Sequence, residues 1–282
     1  MTNPVAAPVG GSSEFLVALV ASGMLSCCWA QDAPDAGPRE QPIPEDLRDQ
    51  VETSIAIGYQ LYVLGKASAI ALDALLEQAP DRAGVAGFLP MREKGSDPER
   101  PSFVVSFFTT DANPRVAYFV RVASNEKPVV QALSPPREVA PSFAAFARAT
   151  QRALDAVPPH QVVNPFPLPG EFIGEKGILV YLVGGGLDES GVAALGPHTR
   201  VLVSEDGARI LTVTPLTEAV VTVPLRTPQR APASVEVTQA RIDYPLETLV
   251  LDSLVYRLPI DVITRRGRWR VDGVDITFLG AP

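Results

Sequence analysis

Proline restricts this chain more than any other residue does. There are 28 prolines among 282 residues, about twice ordinary usage, and each one fixes its own φ and removes a backbone donor. Turns, edge strands and loops are therefore expected in place of a helical bundle. Against that background, "PEDLRDQVETSIAIGYQLYVLGKASAIALDALLEQAP" at 44–80 opens with acids and closes at Pro80, the punctuation of a helix. Leu47, Val51, Ile55, Tyr59, Tyr62, Lys66, Ile70 and Leu75 follow mostly three- and four-residue steps, so one face is apolar. Gly58 and Gly65 are the places where it could bend or split.

Three strand-like runs follow, "VAGFLPMRE", "SFVVSFFTT" and "RVAYFVRVA", separated by polar turns, which suggests an antiparallel meander. "APSFAAFARATQRALDAV" at 140–157 predicts a second helix, with Phe143, Phe146, Ala147, Leu154 and Val157 inward. The proline-rich "PPHQVVNPFPLPGE" then looks like a connection. Beyond it the runs "GILVYLVG", "TRVLVSEDGARILTV", "AVVTVPL", "ASVEVTQA", "LETLVLDSLVY", "PIDVIT" and "RWRVDGVDITF" all read as strands. Asp206-Gly207 suits a two-residue turn that sets Val203 across from Ile210 and Leu202 across from Leu211. Both faces of that hairpin are apolar, so each needs a cover. The expected fold is α+β: a long N-terminal helix and a second helix packed on antiparallel sheet, with the C-terminal half mostly β. The expected organisation is a signal at 1–30, a Pro-rich spacer at 31–44, an α+β lobe at 45–157, a connection at 158–169 and a β-rich lobe at 170–282.

Cys27 and Cys28 are the only cysteines, and they end the apolar run "FLVALVASGMLSCC". Everything after them is thiol-free, without disulfide or thiolate-bound zinc. The run is short for a membrane span of about 20 residues but suits an export signal; no later run looks apolar enough to span, so no transmembrane helix is expected in the mature chain. Cleavage after Ala30 would leave a periplasmic or secreted protein. A lipoprotein anchored at Cys27 or Cys28 is the alternative, and an intracellular chain is another, because residues 1–14 contain no Lys or Arg and one Glu.

A net charge of −8 disfavours a nucleic-acid partner, and no cofactor or metal site is expected. "YLVGGGLDESGVAAL" places Glu189 where the third glycine of a dinucleotide fingerprint belongs, and no Lys follows Gly191. Ser190 lacks a nucleophile elbow, and Asp188 and Glu189 read as a solvated loop. His198 in "GPHTR" is a candidate general base or ligand, whereas His160 in "PPHQ" reads as a loop bystander.

"LYVLGKASAIALDAL", "GPHTRVLVSEDGARIL", "VTQARIDYPLETLVLDSLVYRLPIDV" and "RWRVDG" resemble successive blocks of an uncharacterised family of exported proteobacterial proteins with no established activity. His198, Glu247 and Asp73 match that pattern. Gln239 and Leu249 stand where the family often carries histidine, and Gly65 and Ala69 stand where it carries an acid and a tryptophan. The resemblance implies that any histidine-based site of the family is incomplete here.

The candidate catalytic residues are His198, Glu247 and Asp252. The expected function is a non-catalytic cell-envelope protein that binds a partner protein or ligand. The alternatives are a periplasmic carrier of an apolar small molecule and a hydrolase built on His198 and an acid.

Overall fold

The computed structural model describes residues 40–79, 84–97, 100–109, 115–138, 140–158, 161–172, 174–217, 219–225 and 233–281. The signal, Cys27, Cys28, Ala30 and His160 lie outside the described residues. The fold is α+β, with about 27% of the described residues in helix and 44% in strand. Its spine is helix α1 (Arg48–Gln78), entered through a 3-10 turn at Glu45–Leu47.

Three sheets are arrayed along α1. The first consists of β1 (Val85–Arg92), β2 (Phe103–Thr109), β3 (Val116–Val122) and β4 (Val129–Arg137), an antiparallel meander. The second orders β5 (Val163–Phe172), β6 (Glu175–Leu187), β7 (Val192–Val203) and β8 (Ile210–Pro215), with β9 (Val221–Pro224) also pairing β7. The third orders β10 (Val235–Gln239), β11 (Ile260–Thr264), β12 (Arg268–Asp272) and β13 (Asp275–Gly280). Leu47 and Val51 at the start of α1 join the core of the third sheet around Trp269 and Ile260. Leu61, Leu64 and Ala67 pack on Phe166, Tyr181 and Leu202 of the second. Ala71, Ala74 and Leu75 then pack on Val105, Phe107 and Val120 of the first.

Helix α2 (Pro141–Asp155) covers the opposite face of the second sheet. Ala145, Ala149 and Ala153, at four-residue intervals, seat it against Val180, Leu182, Val201 and Val203. Phe143 and Phe146 on its flank reach Leu89, Phe108 and Leu133 of the first sheet. Both apolar faces of the second sheet are thus covered, as its sequence required. The loop between β7 and β8 is longer than the expected two residues: Ser204 N–H bonds to Arg209 C=O, and Asp206 Oδ1 accepts from Ala208 N–H at 3.0 Å. A bulge then places Leu202 opposite Thr212, not Leu211.

Three local expectations are corrected. "LETLVLDSLVY" is helix α3 (Glu247–Tyr256), not a strand. Residues 247–253 are all buried, the polar Glu247, Thr248, Asp252 and Ser253 among them, so no exposed polar face alternates with an apolar one and the periodicity that would mark a helix is lost. Because α3 carries the chain across, β10 and β11 pair in parallel. The stretch 163–169, expected within the connection 158–169, belongs to strand β5, which is paired with β6 along its whole length. Pro165, Pro167 and Pro169 occupy alternate positions, so the ladder to β6 runs through the other parity and all three imide nitrogens face the outer edge, where strand proline is tolerated. The end of the spacer is also held, since Gln41 N–H donates to Phe278 C=O at 2.8 Å. The segment Glu45–Gln78 is long and apolar enough to cross a bilayer by length and composition alone, with a mean hydropathy of 1.4, a property that a helix shared by three cores also has. A search for one unbroken apolar run passes over it because Gln60 and Lys66 interrupt.

Helices α1 and α3 cross closely at Gly58, where an added Cβ would lie 2.5 Å from Glu247 C=O and 2.6 Å from Val250 Cβ. At Gly65 the nearest atom would be on the Phe166 ring at an ordinary 3.5 Å. Alanine gains about 1 kcal/mol of helix propensity over glycine, but overpacking costs about 1–3 kcal/mol. Urea denaturation should therefore show Gly58→Ala destabilised and Gly65→Ala unchanged or stabilised; equal effects at the two positions would mean that the crossing is not tight.

Candidate functional site

Strand β7 offers its even-numbered side chains to α3. His198 and Arg200 are two residues apart and so share that face, and Tyr181 is the register partner of Arg200 on β6. The alternation of the sheet thus delivers an imidazole, a guanidinium and a phenol to one side. Helix α3 answers with Glu247 in its first turn and Asp252 five residues later.

The contacts form two linked sets. His198 Nε2 lies 2.9 Å from Asp252 Oδ2; because a carboxylate only accepts, the imidazole donates there. Glu247 Oε1 accepts from Tyr181 Oη at 2.8 Å and from Arg200 Nη1 at 2.8 Å. The Arg200 guanidinium also sits 4.0 Å from the centroid of the Phe172 ring, a cation–π arrangement. Burial first, and then the Glu247 carboxylate, push the Tyr181 hydroxyl far above its ordinary value, so it remains the donor. The backbone N–H of His198 donates to Thr217 Oγ1 at 2.7 Å.

All three residues singled out from the sequence therefore meet α3 or belong to it, yet they are sealed. The side chains of His198 and Asp252 are 0% and 5% exposed, and that of Glu247 is 4% exposed. Substrate cannot reach them while α3 is seated. Among the described residues His198 Nδ1 has no hydrogen-bond partner, nor do Arg200 Nε, Thr248 Oγ1 and Gln239 Nε2. Gln239 Oε1 accepts from Leu246 N–H at 3.3 Å at the start of α3, and Leu249 is buried in the core beside Trp269. At these two positions the chain has a helix-capping amide and a packing residue. Asp73 is exposed on α1 and takes no part. Arg200 and Tyr181 were not anticipated, although the two-residue step from His198 to Arg200 along a strand could have pointed to the first.

The glycine-rich stretch is the β6–β7 hairpin. Gly185 at φ +100° lets β6 pass a backbone carbonyl, since a Cβ there would lie 2.1 Å from Ala194 C=O. Asp188 Oδ1 accepts from Ser190 Oγ at 2.7 Å and from Val192 N–H at 2.8 Å, and these bonds, led by Ser190, hold its carboxyl below the ordinary range. Ser190 and Asp188 tie the turn. Among the described residues, no group of three or more His, Asp or Glu side chains is placed to hold a metal ion.

A separate cleft of about 380 Å³ opens at the end of the first sheet, lined by Glu93, Lys94, Arg100, Arg121 and Glu126. Arg121 bridges Glu93 at 3.0 Å and Glu126 at 2.9 Å. Its lining is polar and internally paired, unlike the Phe- and Tyr-lined pocket that an apolar cargo requires.

No family model, curated protein or solved structure matches the chain.

Removing one partner of a buried hydrogen bond leaves the other unsatisfied, at a cost of about 1–3 kcal/mol. Asp252→Ala should lose stability on that scale, and Asp252→Asn less, since its amide oxygen still accepts from Nε2. The double variant His198→Leu/Asp252→Leu should lose less than the sum of the two single losses. Additive losses in thermal or urea unfolding would show that the pair is uncoupled.

Proposed function

We propose that this chain is a non-catalytic cell-envelope protein that binds a partner protein or ligand through its surface. The observation that carries this reading is the burial of the would-be catalytic groups. His198 and Asp252 are spent on each other at 2.9 Å, and Glu247 is spent on Arg200 and Tyr181. A general base must reach the proton it abstracts, directly or through one water, and a side chain at 0% exposure reaches neither substrate nor bulk solvent. In this position the polar groups do structural work: they orient α3 on β6 and β7 and so fix the joint between the second and third sheets. The export-like N-terminal sequence supports placement in the envelope.

One observation favours a hydrolase as the second reading. The His198–Asp252 dyad has the spacing of a base and its orienting acid, and Nδ1 is unengaged, although catalysis would require α3 to lift. One set of experiments separates the two readings. Purified protein assayed with chromogenic ester, phosphoester and peptide substrates should show no turnover that His198→Gln removes. Turnover lost in a His198→Gln protein whose circular dichroism matches the parent would overturn the proposal in favour of the hydrolase. Expressed from its full gene, the protein should appear in the osmotic-shock fraction with Gln31 as its first residue; a cytosolic chain starting at Met1 would refute the envelope assignment.

A further inference from the structure

The edges of the three sheets are not equally protected. An exposed strand edge presents unpaired N–H and C=O groups and recruits other strands unless proline, charge, a bulge or a cover blunts it. Strand β5 carries Pro165, Pro167 and Pro169 on its outer edge. Strand β4 ends in Pro135, Pro136 and Arg137, with its register broken between Val116 and Tyr118 of its neighbour. Strand β1 contains Pro90, β10 carries Glu236, and β13 is bridged by Gln41.

The edge made by β8 and β9 differs in its middle: its bulge at Ile210 and its prolines, Pro215 and Pro224, leave the stretch from Leu211 to Thr214 without proline or charge. From Ile210 to Leu225 the sequence "ILTVTPLTEAVVTVPL" contains one charged residue, Glu218. Ile210, Val213 and Val220 are 40%, 43% and 49% exposed along it, three of the chain's large exposed apolar side chains on a single edge. The backbone parity is fixed by the bonds on the inner side. Ser204 N–H donates to Arg209 C=O, and Leu216 N–H donates to His198 C=O. Thr212 and Thr214, opposite Leu202 and Arg200, therefore point their backbone groups at β7, and Leu211, Val213 and Pro215 point theirs outward. Among the described residues no strand pairs that outer side.

We propose that this edge pairs with the same edge of a second copy of the chain, antiparallel about a two-fold axis through Thr212. This inference is independent of the binding role above. In that register Leu211 of each copy faces Val213 of the other, and all four outward N–H groups find outward carbonyls. The bulge at Ile210 closes the paired stretch at one end, and Pro215, which has no N–H to give, closes it at the other. Two chains of net charge −8 repel each other over most orientations, and an uncharged edge is where self-association meets least opposition. An isologous contact is also self-complementary by symmetry, so an apolar, uncharged edge meets its own kind.

Sedimentation of purified protein should show a species of twice the monomer mass at high micromolar concentration. Val213→Pro removes an N–H that faces away from β7 and should weaken the dimer by about tenfold or more, as edge prolines do. Thr212→Lys places like charges opposite each other at the axis and should weaken it to a similar extent, about tenfold; it decides the matter should Val213→Pro fail to fold. Val129→Lys, on exposed β4, should leave the dimer intact. Amide exchange at Leu211 and Val213 should slow as protein concentration rises. A chain that is monomeric at every concentration, or a dimer that both β8 variants leave unchanged, overturns the proposal.

Discussion

Everything else in this fold is arranged around a single helix that three separate cores share. Leu47 and Val51, then Leu61 and Leu64, then Ala71 and Leu75, commit successive turns of the α1 region to successive sheets. Its register along its own axis therefore fixes where each sheet sits. The contact with α3 is the tightest point in this arrangement, because Gly58 brings two backbones to a distance that no side chain would allow. It also explains why the helix is so apolar: α1 needs several apolar directions where an ordinary surface helix needs one.

The buried polar groups follow from the same arrangement. Helix α3 is buried over residues 247–253, so burial alone does not select one rotation of it on the second sheet. His198, Arg200 and Tyr181 on the sheet and Glu247 and Asp252 on the helix make one rotation far better than the rest, because any other leaves charges unpaired in the core. Desolvation offsets much of what such pairs contribute to stability, so the gain is in specificity of packing, in line with the structural role assigned to them here.

How much of this was legible depended on periodicity. The β12–β13 hairpin shows it plainly, with Trp269 and Val271 inward against Arg268 and Arg270 outward, whereas for α1 and α2 it marked the helix but not its buried face: Tyr59 is 50% exposed and α1 packs through Ser54, Gly58, Leu61 and Leu64, while α2 is seated on Ala145, Ala149 and Ala153. Trp269 even has a partner for its Nε1, Thr264 Oγ1 at 3.0 Å. Helix α3 was illegible because complete burial erases the pattern, and "LVLDSLV" suits a buried strand equally well. Strands β4 and β5 were hidden by proline, whose meaning depends on which way its nitrogen faces, and a sequence does not show that. The site was half-legible. His198, Glu247 and Asp252 could be singled out as chemistry-bearing side chains, but their being paired inside the core depends on the α3 rotation, which only the assembled structure shows.

The three prolines of β5 have one more consequence. They give the second sheet a direction, with one border whose middle, from Pro165 to Pro169, offers carbonyls and no donors and another border, at β8, that offers both. A sheet with two receptive borders can add strands without end and become a fibre. One with a single receptive border can be extended once, after which the outermost strands on both sides are proline-bearing and growth stops. Alternate spacing of an otherwise disruptive residue thus acts as a chain terminator for assembly, encoded in the strand farthest from where the assembly would begin.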